Sequence, residues 1–405
     1  MTYQSKYLPS DLPKASLSQR RCDPRALMAD RLPNCFQPFF TWLTARPAPG
    51  ETVRERSAIS YVWEAASCTM GGMGAGMASL SLSEVCYRLV VITLAWLITL
   101  YGLGLFQVVV FHHASHGTVF LERATNRRVG WIISAILLFK HFDCYRREHL
   151  QHHSANKLLT EDDEFADFVL GMCRLEPGLP KRELWRRVIW DVVISPSFHA
   201  RFLIKRVCAA WCSNDRAHNA LGIGVWLALS LTAIVAGQAV PFLIAVVIPV
   251  TILLQVATVG RILCEHRFPD QILIETRGRE FVCEATAGVF PGSAPPVAKL
   301  NSVAGWILWT KWWLDTLIIQ LTVRLFFLVG DAPCHDYHHR RPATRKWVNY
   351  IQARQDDVDT GCVGYPRNYA EHWGLFSALD DSLKTLSITK VQPLHRGADT
   401  TLSEV

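Results

Sequence analysis

The chain has 405 residues, of which half are hydrophobic and 14 are tryptophan, and its formal net charge is +7. This composition favours a protein with a lipid-facing surface over a soluble enzyme. The basic residues lie beside apolar segments and not in one long stripe, which argues against nucleic-acid binding. Twelve cysteines without a Cys-x-x-Cys pair argue against a disulfide scaffold or a cysteine-based zinc site.

The N-terminal part of the chain is polar and rich in proline. Residues 1–56 are predicted to form an irregular arm, residues 57–345 a membrane domain, and residues 346–405 a C-terminal cytoplasmic segment. No apolar run with a small-residue cleavage site lies within the first 30 residues, so we expect no cleaved signal peptide.

Two apolar stretches predict membrane helices, and a third is a possible partner helix. Residues 89–111 contain no charged side chain and are long enough to cross a hydrocarbon core. Residues 221–260 are also uncharged and are interrupted near Gly237 and Pro241, which predicts two short spans joined by a tight turn. Residues 57–80 are glycine-rich and contain Glu64, which is costly in a bilayer, so whether they span is left open.

Two further apolar stretches are less suited to spanning. Residues 129–139 are too few to cross a bilayer and are expected to be interfacial or buried. Residues 306–327 are aromatic and carry Lys311, Asp315 and Arg324, which indicates an interfacial helix or a tilted span, with a buried helix of a soluble core as the alternative.

Histidines are concentrated in three short windows. Eight of the 15 histidines form His112-His113-Ala-Ser-His116, His149-Leu-Gln-His152-His153 and His335-Asp-Tyr-His338-His339. On a helix, positions i, i+3 and i+4 share one face, so each window directs two or three imidazoles in one direction. Imidazole binds zinc, copper, iron and nickel, but this many imidazoles exceed the needs of one tetrahedral zinc and favour two five- or six-coordinate ions.

The predicted spans place the three windows on one side of the membrane. No full span separates the first two windows, and two spans separate the second from the third. The positive-inside rule assigns this side to the cytoplasm, because many basic residues share it. They are Arg123, Arg127, Arg128, Arg146, Arg147, Lys157, Arg261, Arg267, Arg340 and Arg341.

The segments HHASHG, YRREHLQHH and HDYHH resemble the three histidine boxes of membrane fatty acid desaturases, in the same order. The resemblance covers residues 85–345 and implies two non-haem iron ions that use O2 and two electrons to attack an unactivated C–H bond. It also implies a further ligand after the second hairpin, at His266. The implied metal ligands are therefore His112, His116, His149, His152, His153, His266, His335, His338 and His339, with no catalytic residue separate from the metal centre.

Residues close to the histidine windows are expected to have roles other than direct metal binding. Some relatives have an asparagine that binds through water at the position of Ile262, and this chain departs from that pattern. His113 points away from His112 and is expected to support a ligand, while His141 is expected to be a core or interface group. The acidic run 161–164 could accept N–H groups from the second box, but a solvated acidic face is the preferred interpretation.

The sequence therefore predicts an all-α integral membrane protein, with transmembrane helical hairpins and a cytoplasmic helical cap that holds a histidine-rich di-metal site. The expected activity is O2-dependent desaturation of a fatty acyl or related lipophilic chain, with a separate ferredoxin or cytochrome as electron donor. A hydroxylase, ketolase or decarboxylating oxidase could use the same scaffold. A membrane metal transporter or sensor is disfavoured, since residues 89–111 and 221–260 contain no ionisable group.

Overall fold

The structure is a computed structural model that describes residues 23–390. Residues 1–22 of the predicted N-terminal arm and residues 391–405 of the predicted C-terminal segment lie outside the described residues. The described chain is mostly helical. It contains two helices, α1 (Pro24–Arg31) and α2 (Gln37–Thr44), within the segment that the sequence predicted to be irregular.

That prediction was wrong for residues 24–44 because the prolines there begin helices. Pro24 and Pro38 lie in the first turns of α1 and α2, where a proline leaves no intrahelical hydrogen bond unmade. The Asp23 carboxylate caps α1 by accepting from the backbone N–H of Arg25 at 2.8 Å. Phe40 and Leu43 of α2 are fully buried, so this segment is part of the packed structure.

The first hairpin consists of α3 (Ala58–Ser79) and the long helix α4 (Val85–His116). The two helices approach closely at glycines, because a Cβ on Gly102 would lie 2.4 Å from the Thr69 Oγ1 atom. Glu64 of α3 accepts a hydrogen bond from the Tyr101 hydroxyl at 2.8 Å and pairs with Arg56. These contacts offset the cost that the sequence assigned to this carboxylate.

The segment between the first and second hairpins forms a layer of shorter helices. These are α5 (Arg123–Ile136), α6 (Phe142–His152), α7 (164–172), α8 (181–193) and α9 (Pro196–Trp211). The helix α5 contains residues 129–136 of the apolar stretch 129–139 that the sequence predicts to be too short to span, and five of its 14 residues are buried.

The second hairpin consists of α10 (Arg216–Val235) and α11 (Ala239–Glu265), and the break lies where the sequence placed it. Among the described residues, three helices are long and apolar enough to cross a membrane: α4, α10 and α11. Exposed leucines such as Leu227 and Leu231 lie along α10, as expected for a lipid-facing surface.

The remaining elements follow α11 in the chain. They are α12 (Gln271–Thr276), α13 (Gly278–Glu284), β1 (Gly288–Phe290), α14 (303–326), α15 (His335–Arg340), α16 (Tyr350–Asp359), β2 (Glu371–Trp373) and α17 (Leu375–Ile388). The parallel pairing of β1 with β2 is a small departure from the all-α prediction. It ties the C-terminal segment to the region of the third histidine window.

Candidate metal centre

The three histidine windows lie at helix ends that meet at one place. The first window ends α4, where Gly117 stops the helix with a φ of 73°. The second closes α6, and the third forms most of α15. His266 directly follows α11. The structure therefore brings together all nine histidines that the sequence singled out as metal ligands.

These nine side chains divide into two groups. The five-histidine group contains His112, His116, His149, His153 and His338, and the four-histidine group contains His152, His266, His335 and His339. Within each group, the ring nitrogens that could bind an ion all lie within 4.8 Å of one another. The second histidine window contributes to both groups, and so does the third.

The five-histidine group is connected through its Nε2 atoms. The Nε2 atom of His112 lies 2.7 Å from that of His338 and 3.1 Å from that of His149. The Nε2 atom of His149 is also 2.9 Å from that of His116 and 3.1 Å from that of His153. His116 and His153 are partly exposed, whereas the other three are buried.

The four-histidine group is buried and is likewise connected through its Nε2 atoms. The Nε2 atom of His266 lies 3.0 Å from that of His152 and 3.1 Å from that of His335, and the Nε2 atoms of His335 and His339 are 3.0 Å apart. Adjacent nitrogens at right angles around an ion with ~2.1 Å bonds lie about 3.0 Å apart, compared with about 3.4 Å at a tetrahedral site. The Nε2–Nε2 distances of 3.0 to 3.1 Å in this group therefore suit an ion with five or six ligands.

Two of these imidazoles show why a cation suits the site. The Nδ1 atom of His152 donates to the Asp163 carboxylate at 2.8 Å, and that of His266 donates to the Ala285 carbonyl at 3.2 Å. With its proton on Nδ1, each neutral ring has a lone pair on Nε2. The two Nε2 atoms face each other at 3.0 Å and neither can donate to the other, so a positive ion between them would relieve the repulsion.

Burial favours the neutral form of five imidazoles in the two groups. Desolvation lowers the pKa of His149, His153 and His339 well below its usual value, and neighbouring histidines lower it further. The same causes act on His266 and His338. Neutral imidazole is the form that binds metal ions, so the nitrogen lone pairs are available at neutral pH.

Comparison with known protein families identifies the chain. The family model described as fatty acid desaturase matches residues 89–356, which include all nine histidines. The chain belongs to the fatty acid desaturase family. Membership implies an oxidoreductase that associates with membranes and acts on a lipid. No curated protein matches the chain, and no solved structure matches it.

In this desaturase-family chain, Asp163 is a site residue that the sequence placed incorrectly. The acidic run 161–164 was interpreted as a solvated face, but Asp163 is fully buried and fixes the ring of His152. Its carboxylate also accepts from the backbone N–H groups of Leu159 and Phe165, at 2.7 and 3.1 Å. The sequence shows four consecutive acidic residues near the second box, and no local pattern distinguishes Asp163 from the other three.

His113 and His141 lie outside the two groups. The Nε2 atom of His113 is 2.8 Å from the Asp331 carboxylate, and its ring stacks on Trp347 with centroids 4.2 Å apart. This arrangement fits the supporting role predicted for His113. His141 is buried against His218, with ring centroids 4.6 Å apart. Its position fits the predicted core group.

A buried ion pair anchors the third box of the desaturase fold. Asp336, between the ligand candidates His335 and His338, forms a bidentate pair with Arg354 of α16 at distances of 2.7 to 3.1 Å. Both side chains are at most 2 % exposed, so losing Arg354 would leave the buried Asp336 carboxylate without its ion-pair partner. The C-terminal segment thereby fixes α15 and its histidines.

A cavity of about 230 Å³ lies against both groups. Five of the nine histidines line it, namely His112, His149, His152, His266 and His335. Most of its other walls are apolar or aromatic, including Phe139, Phe165 and Phe202. Ile262, the position where some desaturase relatives have an asparagine, also lines it. A ligand in this cavity would lie beside both groups.

Proposed function

We propose that this chain is a membrane-bound, O2-dependent di-iron oxidase that desaturates a fatty acyl or related lipophilic chain. The observation that supports the proposal most directly is the division of nine buried or partly buried imidazoles into groups of five and four. Each group has enough nitrogen ligands for one ion of five or six coordination. Iron is preferred over zinc because the family reaction requires redox chemistry, which zinc lacks.

In this proposal the nine histidines are the metal ligands, and the iron ions would supply oxidation by O2. Overall, the substrate loses two hydrogen atoms while O2 is reduced to two waters, with two electrons and two protons from an external donor. The chain itself positions the ligands and excludes water. Asp163 and the Ala285 carbonyl hold two imidazoles in the metal-binding tautomer, and aromatic side chains enclose the substrate cavity.

We also propose that the metal centre faces the cytoplasm, where a ferredoxin or cytochrome donor would bind. Exposed arginines support this orientation, because they follow α4 and surround the first two boxes: Arg123, Arg127, Arg128, Arg146 and Arg147.

Cys86 is exposed at the start of α4, the opposite end from the first box. A membrane-impermeant maleimide should therefore label Cys86 on intact cells, and Cys86→Ser should abolish this labelling. Labelling of Cys86 only after permeabilisation would contradict the orientation.

Metal analysis tests the centre itself. Purified protein should contain about two irons per chain, and His338→Ala and His152→Ala should each lower that number, because they remove one ligand from the five- and four-histidine groups respectively. His199→Ala is a matched control, since His199 bonds to Gln255 and the Val193 carbonyl outside both groups. Protein that contains zinc alone would rule out the oxidative mechanism.

Product analysis tests the reaction. The protein would be expressed with a redox partner in a host of defined lipid composition, and lipophilic metabolites would be measured by mass spectrometry. Loss of two hydrogens from a chain supports desaturation, whereas gain of one oxygen would assign a hydroxylase on the same scaffold. The His338→Ala variant should give neither product.

A further inference from the structure

Aromatic rings in contact with one another lead away from the five-histidine group. The ring of His113, which is not itself in that group, has its centroid 4.9 Å from that of His112 and 5.3 Å from that of His338. The indole of Trp347 stacks on His113, with centroids 4.2 Å apart and an interplanar angle of 8°. The indole is therefore one imidazole away from two candidate metal ligands.

Tyr61 of α3 forms the outer end of this series of rings. Its ring centroid lies 5.5 Å from that of Trp347, and its hydroxyl donates to the Val348 carbonyl at 3.0 Å. Tyr61 also lines an open cleft of about 730 Å³, together with residues of α2 and residues 348–351. Three ring contacts thus connect the wall of the cleft with a histidine of the candidate metal centre.

The environment of Trp347 is unusual for an indole that only fills space. The side chain is 2 % exposed, and its Nε1–H group is buried and makes no hydrogen bond within residues 23–390. Buried indoles usually donate that proton, and an unpaired buried donor costs stability. A phenylalanine would stack on His113 without this cost. Indole differs from a phenyl group or an imidazole in another way, since it gives up an electron more readily.

Tyr61 is less suited than Trp347 to lose an electron. The guanidinium of Arg56 lies over the Tyr61 ring, 4.0 Å from its centroid, and this positive charge opposes a second one on the ring. A phenol also releases its proton on oxidation, whereas the Tyr61 hydroxyl bonds to a carbonyl, which is a poor base. Tyr61 therefore serves as a contact between Trp347 and the cleft.

Tyr145 is a second oxidisable ring beside the five-histidine group. It stacks on His149 with centroids 5.1 Å apart, but it lines the cavity next to the histidines and not the outer cleft. An electron lost by Tyr145 could not be replaced from the outer cleft through the rings described above. Trp347 is the ring from which such a path leads outward.

We propose that Trp347 is redox-active and supplies one electron to the oxidised metal centre when no substrate is bound. In this step the indole becomes its radical cation and one iron ion is reduced by one electron. No bond breaks, and the Nε1 proton stays in place because it has no acceptor. The external one-electron donor then restores the indole from the cleft, through the contact with Tyr61. The inference rests on the proposed function and adds a route by which an unused oxidising equivalent leaves the centre.

Electron paramagnetic resonance tests the proposal. The iron-loaded, full-length protein would be reduced, mixed with O2 in the absence of substrate, and frozen within milliseconds. We expect a tryptophan radical, identified by the narrower signal of protein that contains ring-deuterated tryptophan. Trp347→Phe should lose this signal while its iron content stays the same, because the stacked ring is kept and only the oxidisable indole is removed. A tryptophan that only packs would give no signal.

Two further variants separate the path from general effects. Trp185→Phe is the matched control and should keep the signal, since the Trp185 indole donates to Asp380 outside the ring series. Tyr61→Leu removes the outer ring, so the radical should form but should decay more slowly when ascorbate is added as the one-electron donor. If Trp347→Phe fails to fold, the decay rate in Tyr61→Leu decides.

Four outcomes would overturn the proposal. They are no tryptophan radical in the unchanged protein, a tryptophan signal that persists in Trp347→Phe, an equal loss in Trp185→Phe, and an unaltered decay in Tyr61→Leu. A tyrosine radical in place of the tryptophan radical would assign the electron loss to Tyr145.

Iron content and product formation would be measured on the same preparations. An iron-loaded chain that forms the desaturated product without a tryptophan radical contradicts only the role of Trp347. A chain that holds no iron contradicts the proposed oxidase, and the electron path fails with it.

Discussion

At the scale of single residues, Asp163 shows how one buried carboxylate can orient a histidine of the proposed metal centre. It accepts the Nδ1 proton of His152 and two backbone N–H groups, so it both fixes the imidazole tautomer and holds the loop after α6. Partners that orient a metal-binding histidine affect metal affinity through that histidine. Asp163 is therefore a positioning residue of the four-histidine group.

We expect Asp163→Asn to weaken iron binding at the four-histidine group by about 10- to 100-fold, since the carboxamide bonds less strongly to His152. Titration of the iron-loaded protein with a competing chelator would measure this change as early loss of one of two irons. Asp162→Asn is the control, because Asp162 is exposed and pairs with Lys157 at the surface. Equal iron loss in the two variants would contradict the assignment.

The sequence revealed the ligand candidates more readily than their partners, for a physical reason. Histidines at i, i+3 and i+4 share a helix face through local geometry alone, so the clustering of His149, His152 and His153 could be recognised directly. The pairing of Asp336 with Arg354 depends instead on how separate helices pack. No local pattern indicates which arginine will reach a given buried carboxylate.

At the scale of helices, close packing within the first hairpin sets the position of the first box. Gly102 of α4 lies against α3, where an added Cβ would be 2.5 Å from the Thr69 backbone nitrogen. His112 follows ten residues later on the same helix, after a π-helical segment at Leu105–Phe111. A displacement of α4 would therefore move the ligand candidates at its end.

We expect Gly102→Ala to destabilise the protein by about 1–3 kcal/mol, because the methyl group forces α3 and α4 apart. A lower midpoint of thermal unfolding would show this loss. The matched control is Gly71→Ala on α3, where an added Cβ meets no atom within 4 Å and helix propensity favours alanine by up to ~1 kcal/mol. A smaller effect at Gly102 than at Gly71 would contradict the packing argument.

The presence of the membrane helices could be predicted from composition, but their exact ends and their local geometry could not. The uncharged stretch 89–111 predicted a span, and the structure extends that helix to Val85–His116. The π-helical turn before His112 leaves no recognisable sequence pattern, since it depends on packing against neighbouring helices. Likewise, the proline-rich segment 24–44 suggested irregular chain, yet its prolines begin helices whose Phe40 and Leu43 are buried by α14.

At the scale of the whole molecule, the histidine centre concentrates many neutral, buried imidazoles where helices from distant parts of the chain meet. Burial holds the pKa of His149, His153, His266, His338 and His339 well below the value of 6.5 for a free side chain. In the unfolded chain these groups regain that ordinary value. Below pH 6.5 the unfolded state therefore binds more protons than the folded state, and acidification favours unfolding.

The midpoint of thermal unfolding of the iron-free protein should consequently fall as the pH is lowered from 7.5 through 6.5 to 5.5, with most of the fall below 6.5. Calorimetry of chelator-treated protein would measure it. His339→Gln removes one buried neutral imidazole and should lessen the slope, whereas His199→Gln, outside both groups, should leave it unchanged. A midpoint that does not change over this range would mean that the folded and unfolded chains take up protons alike, and this would contradict the argument that burial keeps the histidines neutral.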